Sequence, residues 1–129
     1  MPFDAIGIAG TALTTHRKWL DAISDNMANL NTVRSTDDAA FQARYVEVAA
    51  GEDHGVYVTG ALFGDAEGRL VHEPSHPLAD EDGYVRYPEI DMASQMGALI
   101  MAQRGYQANA AVVDRAKETY QAALQIGRS

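Results

Sequence analysis

The chain contains no cysteine, which excludes disulfides, a thiol nucleophile and any cysteine-ligated metal. It is also poor in cationic residues. Ten Lys and Arg stand against eighteen Asp and Glu, giving 129 residues a formal net charge of −8. Nucleic acid is therefore not an expected partner, because phosphate neutralisation needs clustered Lys and Arg. Electrostatic docking on an anionic membrane is disfavoured for the same reason. No apolar run approaches the roughly 20 residues of a spanning helix, so direct membrane insertion is not expected. The opening "MPFDAIGIAG" carries Asp4 and no basic stretch ahead of an apolar one. It does not read as a Sec signal peptide, and export from the cytoplasm would proceed without a cleaved signal. Catalytic signatures are missing as well: there is no G-x-S-x-G elbow, P-loop or G-x-G-x-x-G fingerprint. "GIAG" at 7–10 has neither the third glycine nor a preceding strand. Neither an enzyme nor a cofactor is expected.

What is present is ordinary folded-protein composition, 47% hydrophobic and 22% charged, in one domain's length of chain. Ile6, Ala9, Leu13, His16, Leu20, Ile23, Met27 and Leu30 recur at alternating steps of three and four. This is an uninterrupted heptad seam with one polar member, His16, read as a register-setting position. The spacing predicts a helix over 4–29, roughly 40 Å long at 1.5 Å per residue. A second seam runs through Met92, Met96, Leu99, Gln103, Tyr106, Ala110, Val113, Lys117, Tyr120 and Leu124. Ala102, Ala116 and Ala123 widen it, Asp91 is the expected N-cap and Gly127 the expected C′ stop. Gly7, Gly10, Gly97 and Gly105 weaken both helices, each by about 1 kcal/mol relative to alanine. Such a pair is marginal alone and is completed by neighbours.

Residues 32–90 change character. "RYVEV" (44–48), "GVYVTGALF" (55–63), "GRLVHE" (68–73) and "GYVRYPEI" (83–90) are β-branched or aromatic and separated by Gly, Asp and Pro. They read as short strands joined by turns, with "STDDAAFQA" (35–43) as loop. The densest set of candidate ligands is "HEPSHPLADEDG" (72–83). His72 and His76 are four apart, the spacing of a helical zinc pair, but Pro74 and Pro77 exclude that helix. The same stretch lacks the first ligand of a calcium loop and its entering helix. An Asp-Gly turn between strands is the simpler reading.

"SDNMANLNT" (24–32) places Asn26, Asn29 and Asn31 at one helix end. Asparagine competes for nearby backbone groups and is a poor helix-interior residue. A helix stop needs one such residue in the left-handed conformation, not three. Asn26 flanks the first seam beside Met27, and Asn109 flanks the second beside Ala110. Tyr106 and Asn109, three apart, share a face. Amides in these places suit a packing of several helices whose register is fixed by hydrogen bonds.

"FDAIGIAGTALTTHRKWLDAISDNMANLNT" resembles the N-terminal signature of bacterial flagellar rod and hook proteins. Ser24, Asn26, Ala28, Asn29 and Thr32 carry its Ser-x-Asn-x-Ala-Asn-x-x-Thr pattern. His76 to Val85 and the Arg-x-Tyr-x-Ala-Asn run at 104–109 are similar to the basal-body rod proteins, the proximal-rod type in particular. The chain departs from the family's usual pattern at Pro88-Glu89-Ile90-Asp91, where Pro-Asn-x-Asn is usual, and at Gln95-Met96, where Glu-Met is usual. The stretch 33–48 departs as well.

The resemblance implies a structural subunit of the proximal rod. It would be exported by the flagellar type III apparatus and polymerise through its terminal helices into a hollow tube that transmits torque. Its partners would be other copies of itself, related flagellar rod proteins and the export apparatus, in the periplasmic part of the basal body. The expected fold is mainly α with a small β segment. Long N- and C-terminal helices (1–31 and 91–129) would pair as a coiled coil in one domain, with 32–90 as a short-stranded middle. Leu13, Leu20, Ile23 and Met27 would pack against Leu99, Tyr106, Val113 and Tyr120, while Asn26, Asn29 and Asn109 fix register. A soluble helical adaptor or secretion chaperone using the same seams on a partner peptide is the alternative.

Overall fold

The structure, a computed structural model, describes residues 2–128. Its elements in chain order are α1 (Pro2–Ala28), β1 (Arg44–Ala50), β2 (Val56–Phe63), β3 (Arg69–His72), β4 (Tyr84–Tyr87) and α2 (Met92–Gly127). The fold is mainly helical with a small β segment. The terminal helices pack on each other, and α1 also carries β1 and β2. The helices run antiparallel. Asn26 near the end of α1 meets Gln95 near the start of α2, His16 meets Gly105, and Ala5 lies beside Val112, Arg115 and Thr119.

Local chemistry sets the helix ends. Asp91 caps α2, its carboxylate accepting from the Ser94 amide at 3.1 Å and the Ser94 hydroxyl at 2.7 Å. These bonds, the hydroxyl first, hold the Asp91 carboxyl below the usual range. At the other end Gly127 is the last helical residue rather than a left-handed C′. The cap is Arg128 in right-handed geometry (φ −92°, ψ −11°), its amide returning to the Gln125 and Ile126 carbonyls. This terminus closes by tightening its last turn, so glycine's conformational freedom is not used.

β1 and β2 form an antiparallel pair with Tyr45 opposite Leu62 and an irregularity at Glu47/Val48. β3 and β4 form a second antiparallel pair, Val71 opposite Val85. Arg34 extends that pair by a bridge to Arg86, which ties the non-helical 33–43 stretch to it. Gly68, at φ +58°, immediately precedes β3, at a place where a side chain would collide with the Tyr87 carbonyl.

The α1 seam faces inward as its spacing predicts: Ile6, Ala9, Leu13, His16, Leu20, Ile23 and Met27 are all buried or half-buried. The inward face of α2 matches its predicted seam at Leu99, Ala110 and Val113 and at the widening Ala102 and Ala116, but not at the seam's larger members. Gln95 and Ala102 are buried and Leu99, Gly105, Val113 and Ala116 half-buried, whereas Met92, Met96, Tyr106, Tyr120 and Leu124 are exposed. The reason is size. Small residues on α2 let the axes approach, and the largest apolar side chains are displaced to the flank.

His16 shows the approach most clearly. Its Nδ1–H donates to the Ala12 carbonyl at 2.7 Å, and the far side of the ring lies where a Cβ on residue 105 would stand. Gly105 is thus a socket for the imidazole. Gly97, by contrast, faces open space. Substituting alanine should therefore act in opposite directions at the two sites. Gly105→Ala should lower stability by about 1–3 kcal/mol through overpacking, and Gly97→Ala should raise it by up to about 1 kcal/mol through helix propensity. Urea unfolding followed by far-UV circular dichroism measures both.

Candidate assembly interface

Asn26 is 1% exposed and belongs to no cap. Its amide nitrogen donates to the Arg44 carbonyl at 3.0 Å and to Gln95 Oε1 at 3.1 Å. Its oxygen accepts from the Arg44 amide at 2.8 Å. One side chain thus joins the end of α1, the first residue of β1 and the first turn of α2. Both faces of the amide are used, which a carboxylate or an alcohol of that size cannot reproduce. Gln95 serves here as an acceptor, a role a carboxylate oxygen can also fill.

The neighbouring asparagines do different work. Asn29 Nδ2 donates to the Asp25 carbonyl at 2.8 Å, and its oxygen accepts from the Thr32 hydroxyl at 3.1 Å, so this residue finishes α1. Asn31 is exposed. Asn109 donates to the Gly105 carbonyl at 2.7 Å, a bond within its own helix.

Two further residues position the β1–β2 hairpin, and the sequence pattern did not single them out. Thr11 Oγ accepts from the Val56 amide at 3.0 Å, and Thr15 Oγ donates to the Val56 carbonyl at 3.1 Å. They lie four apart on α1, and together they satisfy both backbone groups of the first β2 residue. "TALTT" in the seam's flank was the available signal. The hairpin is thereby fixed to α1 at two points, Asn26 for β1 and the threonines for β2.

The proposed seam residues divide accordingly. Leu13, Leu20, Ile23, Met27, Leu99 and Val113 lie between the elements of this chain, while Tyr106 and Tyr120 remain exposed on the flank of α2. Met96 (50% exposed), Ile100 and Leu124 join them in leaving α2 with apolar surface along its length.

The 72–83 stretch is a tightly hydrogen-bonded connection between β3 and β4. Asp80 Oδ1 accepts from the Tyr84 amide at 2.8 Å and the Asp82 amide at 3.0 Å, and Oδ2 accepts from the Thr36 hydroxyl at 3.0 Å. His76 Nδ1 accepts from the Leu78 amide at 3.0 Å, and His72 packs edge-on against Tyr84. Among the described residues no three His, Asp or Glu are grouped to hold a metal ion. The Tyr84 amide bond, with help from Thr36, Asp82 and Gly83, holds the Asp80 carboxyl below its ordinary value of 3.8.

Two outcomes follow. Asn26→Ala leaves buried groups of Arg44 and Gln95 without partners, at about 1–3 kcal/mol per group. It should cost at least about 2 kcal/mol in urea unfolding, while Asn31→Ala at an exposed site should stay within about 0.5 kcal/mol. Asp80 contributes stability that is present above the unfolded carboxyl's value. That contribution should be lost as pH falls through its depressed folded value. The Tyr84 amide resonance should titrate with a midpoint below 3.8, and the titration should vanish in Asp80→Asn.

Among the described residues no helix is long and apolar enough to cross a membrane. Residues 6–34, spanning the Asn26 motif, match the family described as "Flagella basal body rod protein". Residues 81–126 match that described as "Flagellar basal body rod FlgEFG protein C-terminal". Over 126 residues the chain is 38% identical to the flagellar basal-body rod protein FlgC of Yersinia enterocolitica, covering 94% of each chain. It is 35% identical to that of Salmonella typhimurium, again over 94% of each chain, and 27% identical to that of Bacillus subtilis over 98% of each. The two matched segments take in most of the two helices that Asn26 and Gln95 lock together, the second with β4 as well, and the chain belongs to the FlgC family of flagellar basal-body rod proteins.

Proposed function

We propose that this chain is a structural subunit of the flagellar proximal rod. It is delivered by the flagellar type III export apparatus to the periplasmic part of the basal body. There it polymerises with its own copies and related rod proteins into a hollow tube that transmits torque. The α1–α2 pair forms the packed wall, and the β1–β4 segment lies outside it.

The observation that carries this reading is the surface of α2. Its inward face is satisfied by α1, yet Met92, Met96, Ile100 and Leu124 remain exposed. Apolar surface left over after intramolecular packing marks a contact site, and on a long helix it suits a neighbouring subunit. Non-closing contacts of this kind build helical tubes.

The test is electron microscopy of basal bodies from a strain lacking the chain, with complementation. Rings without a rod are expected in the deletion, and rods should return with the wild-type chain. Ile23, only 2% exposed, would report on folding, so the assembly variant is Met96→Asp with Ile100→Asp. It should keep its circular dichroism spectrum and fail to restore rods. Rods that form normally in the deletion strain would instead favour an adaptor or secretion chaperone.

A further inference from the structure

Four methionines stand among the described residues, and they are unevenly placed. Met27 is half-buried in the α1 seam, whereas Met92, Met96 and Met101 on α2 are 42%, 50% and 65% exposed. A thioether is apolar enough to serve a contact surface, yet its sulfur is open to oxidation wherever solvent reaches it. Met92 and Met96 are four apart and lie one above the other on α2, and Ile100 continues the line. Met101 stands apart, about 140° round the helix from Met96 at 3.6 residues per turn. The chain has no cysteine, so no thiol of its own intercepts an oxidant before these sulfurs do.

We propose that Met92 and Met96 form a reversible oxidation site, through which a peroxide switches off the assembly surface of α2. The sulfur lone pair attacks one peroxide oxygen. An S–O bond forms as the O–O bond breaks, and the departing oxygen leaves as water once the proton has transferred. Sulfur is oxidised and the peroxide reduced. The product, methionine sulfoxide, carries a polar S–O group where a soft apolar one stood. Burying that group against a neighbour without a hydrogen-bond donor is costly. On the free chain it stays hydrated and leaves the inward face of α2 untouched. A thiol-dependent sulfoxide reductase reverses the change, removing the oxygen as water while two thiols become a disulfide.

This inference rests on the reading of that surface as a subunit contact. The first experiment treats the full chain with hydrogen peroxide and follows each methionine by peptide mass spectrometry. Met92, Met96 and Met101 should each gain one oxygen several-fold faster than Met27, with the circular dichroism spectrum unchanged. Equal rates at Met27 and on α2, or unfolding that accompanies oxidation, overturn the site. The second uses the deletion strain, with rods counted in the presence of peroxide relative to its absence for each chain. That ratio should fall for wild type, fall equally for Met101→Leu, and hold for Met92→Leu with Met96→Leu, which cannot be oxidised there. Independently of peroxide, Met92→Gln with Met96→Gln, polar like the sulfoxide, should lose rods. Normal rods with the glutamine pair, or equal sensitivity of wild type and the leucine pair, overturn the switch while leaving the subunit reading standing. Rods in the deletion strain without any chain overturn the subunit reading itself.

Discussion

The structure depends on the amide of Asn26. It is a short side chain inside a helix, yet it satisfies a donor and an acceptor on Arg44 and an acceptor on Gln95. An unmatched polar group at 1% exposure would be costly, so the three elements are held to one arrangement. The start of β1 cannot slide along α1, and the first turn of α2 cannot rotate against it. Thr11 and Thr15 complete the frame by doing the same for Val56. What the helix pair gains from apolar burial is limited on the α2 side, where Ala102, Gly105 and Ala116 face inward. These polar ties supply the uniqueness that such a thin core lacks.

Small residues have a second effect. Ala102 is fully buried, and Gly105 receives the His16 ring. Close approach on this face displaces Met92, Met96, Tyr106 and Leu124 to the flank, where about half of each remains exposed. The intramolecular pair and the exposed apolar surface therefore have one cause. A helix with large apolar groups facing inward would have made a fatter, more stable hairpin with less to offer a neighbour.

Much of this arrangement is legible in the residues themselves. The α1 seam reads correctly because its apolar positions are its packed positions. The strands read correctly to within three residues at each end because β-branched and aromatic runs are bounded by Gly, Asp and Pro. The inward face of α2 reads only in part: Leu99, Ala110 and Val113 of the seam and the flanking Ala102 and Ala116 are packed, whereas hydrophobicity also points to Met92, Met96, Tyr106, Tyr120 and Leu124, which are exposed. Asn26 stands out as an asparagine beyond the needs of a helix stop, but its partners lie 18 and 69 positions away. Local pattern carries no information on those. The bridge between Arg34 and Arg86 is hidden for the same reason. Gly127 has the composition of a helix stop without its geometry.

The span of the Asn26 joint bears on when the fold can exist at all. Chains are synthesised from the N-terminus, and a contact between positions 26 and 95 cannot close until the later residue has left the ribosome. Up to that moment α1 is a glycine-containing helix without its partner, close to the limit of what an isolated helix sustains. The α1–α2 packing is thereby postponed, whereas α1, β1 and β2 have their mutual ties, Asn26 to Arg44 and Thr11 and Thr15 to Val56, within the first 63 residues. The chain is therefore made in an order that leaves the helical partner of α1 until last.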